Sequence, residues 1–296
     1  MPRIILADNL EALAAIPSGS IDLIYIDPPF NTGRAQARTR LKTVRDPNGD
    51  RTGFQGRRYR TERGATQAFA DRFDDFVAFL EPRLREAHRV LGRAGSFFLH
   101  IDPREAHYCK VALDGIFGRR SFMNEIIWAY DFGGRSNVRW PAKHDQILWY
   151  AKDPRRYTFN HDAIDRIPYL APGLVTPEKA ARGKVPTDVW WQTIVPTHSK
   201  ERTGYPTQKP LAILLRIVRV HSNPGDIVLD FFAGSGTTGE AAAREGRDFV
   251  LVDHSLEAVR LMARRLAFAH PSCEGFRIAR PRDARPRKTA ARQGNA

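Results

Sequence analysis

The chain has 296 residues, and its 47 Lys and Arg against 33 Asp and Glu leave a formal net charge of +14. This excess attracts polyanions and suits a phosphate backbone, while a hydrophobic content of 42% excludes disorder throughout. No run of about eighteen apolar residues and no secretory leader occur, so we expect a cytoplasmic protein. The two cysteines, Cys109 and Cys273, lie far apart, and neither a disulfide framework nor a metal site is expected.

The first 130 residues alternate apolar runs with segments of helical period. The run "IDLIYI" stops abruptly at Asp27-Pro28-Pro29-Phe30, as expected of a buried parallel strand, because proline cannot donate to a strand ladder. The predicted elements are, in chain order, a strand at Arg3–Leu6, a helix near Leu10–Ala15, a strand at Ile21–Ile26, a helix within Phe69–Val90, a strand at Gly95–Ile101 and a helix at Ala106–Ile116.

Two segments are strongly basic and lack a hydrophobic period. Residues 34–64 hold ten basic residues against three acids, with Gly53, Gly56 and Gly64 among them, which predicts a mobile loop. From residue 277 to the end there are seven basic residues, two prolines and one acid. This composition predicts a disordered basic tail over residues 276–296.

The alternation fails between residues 131 and 200, where glycines, prolines and the tryptophans Trp140, Trp149, Trp190 and Trp191 predict an inserted segment with its own small fold. It returns over residues 201–275 and completes an α/β domain with residues 1–130: a mostly parallel sheet with helices on both faces. The predicted elements there are helices at Leu211–Val220, Gly239–Arg244 and Ser255–Leu266 and strands at Ile227–Asp230 and Phe249–Asp253.

A glycine-rich turn lies between a predicted strand and a predicted helix. Gly234, Gly236 and Gly239 match G-x-G-x-x-G, and Asp253 ends the next strand, where it would bind ribose hydroxyls. This spacing alone fits a dinucleotide or S-adenosylmethionine. Asp230, which could meet the ammonium of the cofactor, and Phe232 before the turn favour S-adenosylmethionine.

The turn Asp27-Pro28-Pro29-Phe30 lies where open α/β sheets bind ligands. An exocyclic amine of a base is a poor nucleophile because its lone pair is delocalised into the ring. Two acceptors, the Asp27 carboxylate and the Pro28 carbonyl, would localise that lone pair, and proline fixes their geometry. Phe30 offers a flat face on which an extruded base can stack.

Three motifs resemble those of the amino-directed DNA methyltransferases of the N6-adenine and N4-cytosine class. "DPPF" is similar to the catalytic motif, "DFFAGSGTT" to the cofactor loop and "YPTQKP" (Tyr205–Pro210) to the segment before that loop. Their order is the one that the family calls β. The resemblance implies a Rossmann-like seven-stranded sheet, base flipping in double-stranded DNA, and residues 131–200 as target-recognition insert.

The resemblance also implies roles for single residues. Asp8 matches a position near the cofactor adenine, although Ala7 replaces the usual glycine. The leading acid at Asp27 favours adenine N6 over cytosine N4, and Phe30 replaces the commoner tyrosine. The implied cofactor contacts are Asp8, Thr207, Lys209, Asp230, Phe232, Ala233, Gly234, Ser235, Gly236, Thr237 and Asp253.

DNA contacts are expected from the insert, above all from "GGRSNVRW" (Gly133–Trp140), which includes Asn137 and Trp140. The basic candidates are Arg135, Arg139 and Lys143, followed by Arg155 and Arg156. The basic loop after the catalytic turn is expected to close over DNA. The alternatives are an NAD-dependent oxidoreductase, a catalytically dead DNA-binding protein, or RNA as substrate; a homodimer and a restriction enzyme partner also stay open.

Overall fold

The structure, a computed structural model, describes residues 1–31, 36–49, 51–52, 57–69 and 73–277. Within these ranges, no helix is long and apolar enough to cross a membrane. The strands are β1 Arg3–Leu6, β2 Ile21–Ile26, β3 Gln36–Arg45, β4 Arg51–Thr52, β5 Arg58–Phe69, β6 Leu91–Ile101, β7 Phe122–Ala129, β8 His144–Ala151, β9 Val189–Trp191, β10 Ile227–Asp230, β11 Asp248–Asp253 and β12 Ser272–Glu274. The α-helices are α1 Asn9–Ala15, α2 Phe76–Val90, α3 Ala106–Phe117, α4 Pro177–Arg182, α5 Leu211–His221, α6 Thr237–Arg244 and α7 Leu256–Arg265.

The main sheet of the described residues has nine strands in the order β12-β1-β11-β10-β2-β6-β8-β7-β9. Six neighbouring strands, from β12 to β6, run parallel, and β8 is antiparallel to both β6 and β7. The expected α/β class is therefore confirmed. The expected number of seven strands was too low because β9 and β12 add short edge strands of three residues each, which are too short to show a hydrophobic period.

The two faces of the sheet bury separate clusters, because side chains alternate along each strand. Leu23 and Tyr25 of β2 pack in a core with α5, α6 and α7. Ile24 and Ile26 point the other way, into a core with α1, α2 and α3. Helices therefore cover both faces, and the carboxyl ends of the parallel strands form one open edge.

The segment 131–200 is not separate from the sheet. Its strand β8 is buried along almost its whole length and lies between β6 and β7. A continuous apolar run of this kind is typical of a central strand. The rest of the segment holds β9, the short helix α4 and irregular backbone, and its role in target recognition stays a prediction.

The described part of the basic segment 34–64 forms strands where a loop was predicted. β3 pairs antiparallel with β5, which also pairs with β4. The register sets Lys42 opposite Glu62 and Thr43 opposite Thr61, and the backbone hydrogen bonds of such a ladder do not require the hydrophobic period that the segment lacks. Phe69, the first residue of the range in which a helix was predicted, is the last residue of β5. The helix α2 begins at Phe76, after its N-cap Asp75. The predicted tail lies outside the described residues from 278 onward.

A buried chain of hydrogen bonds crosses the middle of the sheet. The hydroxyl of Tyr25 lies 2.6 Å from Nδ1 of His100, and Nε2 of His100 lies 3.0 Å from Oδ2 of Asp145. The hydroxyl of Tyr130 donates to Oδ1 of Asp145 over 3.1 Å. Burial raises the pKa of Tyr25 well above its usual value, so the protonated hydroxyl can donate to Nδ1 while Nε2–H donates to the carboxylate. The chain joins β2, β6, β8 and the residue that follows β7.

We predict that Asp145→Ala lowers the free energy of unfolding by about 3 kcal/mol, because it leaves His100 and Tyr130 without their acceptor inside the core. Urea unfolding of the two proteins measures this loss. Asp162→Ala, which removes a carboxylate that is 99% exposed, is the matched control and should cost less than about 0.5 kcal/mol. Equal losses in the two variants would contradict the structural role of the buried chain.

Candidate active site

A cleft of about 970 Å³ opens at the carboxyl edge of the parallel strands. The whole predicted catalytic turn lines it. All of the predicted cofactor contacts except Gly236 line the cleft: Asp8, Thr207, Lys209, Asp230, Phe232, Ala233, Gly234, Ser235, Thr237 and Asp253. The strand order explains this convergence, since β2, β10 and β11 are neighbours and run in the same direction.

Asp27 has one oxygen paired and one free. Its side chain is only 15% exposed, and Oδ2 accepts a hydrogen bond from the ammonium of Lys209. Oδ1 is buried and has no hydrogen-bond partner within the described part of the chain. A buried acceptor without a donor is costly, so this oxygen is suited to a donor brought by a ligand.

Phe30 is the last residue of the catalytic turn, and its ring packs against a buried side chain. It stacks on His100 with a centroid distance of 5.9 Å and an angle of 27° between the planes. The Nζ atom of Lys209 lies 4.7 Å from the centroid of Phe30. The resemblance implied that Lys209 contacts the cofactor, but here its ammonium contacts the two catalytic side chains that were expected to hold the base.

The glycine turn needs glycine at two positions for different reasons. Gly234 has φ of +47°, and a Cβ there would lie 3.0 Å from Cε1 of Tyr205. Gly236, with φ of +75°, is the N-cap of α6, and a Cβ there would lie 2.8 Å from Cγ of Met262. Both positions combine a left-handed backbone with close packing, so a side chain at either would be strained.

Asp230 is a buried carboxylate that holds the glycine turn. It is 3% exposed; Oδ1 accepts from the backbone N–H of Phe232 over 3.0 Å, and Oδ2 accepts from the hydroxyl of Thr238 over 2.6 Å. Burial raises the pKa of Asp230 to about 7, and the charges of Asp27 and Asp253 add to the effect. A positively charged ligand in the cleft would reverse this shift.

Asp253 and Asp8 are two further carboxylates that line the cleft. Oδ2 of Asp253 accepts from the N–H of Gly234 over 2.9 Å, and burial raises the pKa of this carboxyl as well. Asp8 caps α1 by accepting from the N–H of Leu10 over 2.8 Å, and it faces Arg83 at 3.7 Å. Both carboxylates border the cleft, as the sequence predicted.

The cleft has an aromatic wall, of which only Phe232 was predicted from the sequence. Phe79 lies 4.5 Å from Phe73 and 6.2 Å from Phe232, measured between ring centroids. The guanidinium of Arg83 lies 4.0 Å above the ring of Phe79 and donates to Oδ1 of Asn9 over 2.6 Å. The i, i+4 spacing of Phe79 and Arg83 on a predicted helix was the available signal.

The predicted DNA contacts fall at two opposite edges of the sheet. Arg135 and Arg139 are exposed on the loop between β7 and β8, at the edge that carries the cleft. Lys143, at the base of this loop, donates to the carbonyl of Asp131 over 2.6 Å. Arg155 and Arg156 follow the other end of β8, so the structure does not bring them to the cleft.

Known proteins resemble this chain along most of its length. The profile of a DNA methylase family, N6_N4_Mtase, matches residues 21–264. The DNA adenine methyltransferase YhdJ of Escherichia coli (strain K12) is 33% identical over 280 residues, which cover 92% of this chain and 85% of that protein.

Two solved structures share the fold at lower identity. The PvuII DNA methyltransferase (cytosine-N4-specific) superposes with a TM-score of 0.61 at 16% identity, over 88% of this chain and 85% of that one. The M1.HpyAVI–SAM complex superposes with a TM-score of 0.57 at 21% identity, over 90% and 99% of the two chains. With the family profile covering the catalytic turn and the glycine turn alike, the chain belongs to this family of DNA methylases.

Proposed function

We propose that this protein transfers a methyl group from S-adenosylmethionine to the N6 amino group of an adenine that is flipped out of double-stranded DNA. The observation that carries the proposal is the single cleft shared by Asp27, Phe30 and the glycine turn. Family membership and the 33% identity to a protein named DNA adenine methyltransferase support it. The acid at position 27 favours adenine over cytosine.

The residues of the cleft fit S-adenosylmethionine. When bound, this cofactor supplies an electrophilic methyl group on a positively charged sulfur. Burial has raised the pKa of Asp230 and Asp253, so both carboxylates favour a cationic ligand. Asp253 would accept from ribose hydroxyls, Asp230 would face the ammonium, and the rings of Phe79 and Phe232 would border the adenine.

The catalytic turn would prepare the amine of the base. The free Oδ1 of Asp27 and the carbonyl of Pro28 would accept its two hydrogens, which localises the lone pair on nitrogen. Phe30, supported by His100, would stack on the base and fix its plane. These groups act by position and electrostatics and form no bond to the substrate.

Lys209 must give way during this reaction. Its ammonium lies on Asp27 and close to the ring of Phe30, in the space that the amino group of the base would enter. Positive charge develops on that nitrogen as the methyl group arrives, and a neighbouring ammonium would oppose it. We therefore infer that Lys209 moves off Oδ2 of Asp27 as the entering amine donates to Oδ1.

The DNA would be held by exposed basic residues at the same edge of the sheet. Arg135 and Arg139 are placed for phosphate or base contacts, and the basic strands that follow the catalytic turn would close over the duplex. A cytoplasmic location is part of the proposal because the substrate is genomic DNA. A homodimer and a restriction enzyme partner are expectations that the family resemblance carries.

We predict that Asp27→Ala lowers methyl transfer by about a hundredfold or more, since the main acceptor for the amine is lost. The measurement is the transfer of labelled methyl from S-adenosylmethionine to unmethylated genomic DNA. Calorimetric binding of the cofactor should change by less than about threefold, and Asp162→Ala should transfer at the wild-type rate. Wild-type transfer by Asp27→Ala would overturn the catalytic assignment.

A second prediction concerns pH. Burial raises the pKa of Asp230 to about 7, so this carboxyl gains a proton as the pH falls through 7 and loses the charge that attracts a cation. Affinity for S-adenosylmethionine should then fall by about tenfold for each pH unit below 7. Calorimetry at pH values between about 5.5 and 7.5 measures the slope.

The variant Asp230→Asn tests whether Asp230 causes that pH dependence of cofactor affinity. It should bind the cofactor weakly at the upper end of the pH range and lose most of the pH dependence, while Asp253, whose pKa is also raised, is still present. A wild-type affinity that is constant across the range would contradict the role of Asp230. An unchanged slope in the variant would show that another carboxyl causes the pH dependence.

A further inference from the structure

The loop between β7 and β8 exposes large apolar side chains to solvent. Trp140 is 95% exposed, Val138 92% and Phe132 67%. A tryptophan is highly buried on average, and apolar side chains clustered in solvent mark a binding surface. None of these three side chains takes part in the proposed contacts to the cofactor or to the amine of the base.

The strand register places this loop at the edge of the sheet that carries the cleft. Ala129 at the end of β7 pairs with His144 at the start of β8, and Gln146 pairs with Ile101 at the end of β6. β6 is in turn the neighbour of β2, which leads into Asp27. At about 4.8 Å between strands, the base of the loop begins about 10–15 Å from β2.

The base of the loop is also tied to the catalytic turn by contacts. Tyr130, the first residue after β7, donates to Asp145, which pairs with His100. His100 supports the ring of Phe30. A continuous chain of contacts therefore joins the base of the loop to the ring on which the extruded base would stack.

The charge of the loop matches nucleic acid. Between residues 131 and 143, Arg135, Arg139 and Lys143 oppose the single acid Asp131. Ser136 shapes the tip by accepting from the backbone N–H groups of residues 138 and 139, over 3.3 and 3.2 Å, and Lys143 closes the base. A shaped basic loop with an aromatic tip suits a polyanion that contains stacked rings.

We propose that Trp140 enters the base stack at the target site and fills the space that the extruded base leaves. This inference rests on the proposed function. Extrusion breaks the stacking on both sides of the target base, and a flat apolar side chain restores part of it. Trp140 has the largest ring in the loop and the greatest exposure, while Arg135 and Arg139 can bind the flanking phosphates.

The test compares two duplexes built around an adenine that the wild-type enzyme methylates in genomic DNA. One duplex is fully paired, and the other has an abasic site opposite the target adenine, so that extrusion breaks no base pair. Trp140→Ala should lose about tenfold or more of its methylation rate on the paired duplex. On the abasic duplex it should come within about threefold of wild type, because extrusion is then easy.

Two further variants complete the test. Trp140→Phe keeps a flat ring and should retain most of the rate on the paired duplex. Phe268→Ala removes a ring that is 54% exposed between α7 and β12, outside the insert and the cleft, and should match wild type on both duplexes. A full rate for Trp140→Ala, an equal loss on both duplexes, or the same pattern in Phe268→Ala would overturn the proposal. A wild-type protein that methylates no adenine in genomic DNA, so that no such duplex can be designed, would instead contradict the proposed function itself.

Discussion

Parallel strands deliver their carboxyl ends to one edge of a sheet, and here three of those ends bring carboxylates into one cleft. Asp27 follows β2, while Asp230 and Asp253 end β10 and β11. Burial disfavours ionisation, and the like charges of Asp27 and Asp253 add to this effect, which is why the pKa of Asp230 rises to about 7. This concentration of carboxylates suits the positively charged cofactor that we propose for the cleft.

Two of these carboxylates accept hydrogen bonds from backbone N–H groups in or next to the glycine turn. Asp230 accepts from the N–H of Phe232, and Asp253 accepts from that of Gly234. The carboxylates thus shape the glycine turn, and the turn in return holds them in position. Asp27 differs, because its partner Lys209 comes from a distant segment and one of its oxygens has no donor in the described structure. We propose that this oxygen accepts a hydrogen bond from the substrate amine.

Local patterns in the sequence were sufficient for the strands and turns that build the cleft. The continuous apolar run of β2 and its stop at two prolines predicted the catalytic turn, and the spacing of Gly234 and Gly236 predicted the second turn. Both signals lie within a few residues. The pairing of Asp27 with Lys209 spans 182 positions, and that of Tyr25 with His100 spans 75. Contacts at such separations leave no periodic trace in a single sequence.

The errors in the predicted fold also arise from pairings between positions that are far apart in the sequence. β8 was assigned to a separate insert because its surroundings are irregular, although its own run "ILWY" is as apolar as that of β2. The strands β3 and β5 were read as a loop because the segment lacks a hydrophobic period, while their backbone pairing joins positions as far apart as 36 and 69. The proposal that Trp140 enters the base stack likewise rests on the strand register and on the exposed fraction of its side chain.

The identity of the methylated base tests the account most directly. The protein is incubated with S-adenosylmethionine and unmethylated genomic DNA, and the digested nucleosides are quantified by mass spectrometry. The account predicts N6-methyladenine as the product. N4-methylcytosine would keep the chemistry of the cleft and contradict the assignment of the base. No modified nucleoside, from a folded protein that binds the cofactor, would contradict the proposed methylation of DNA.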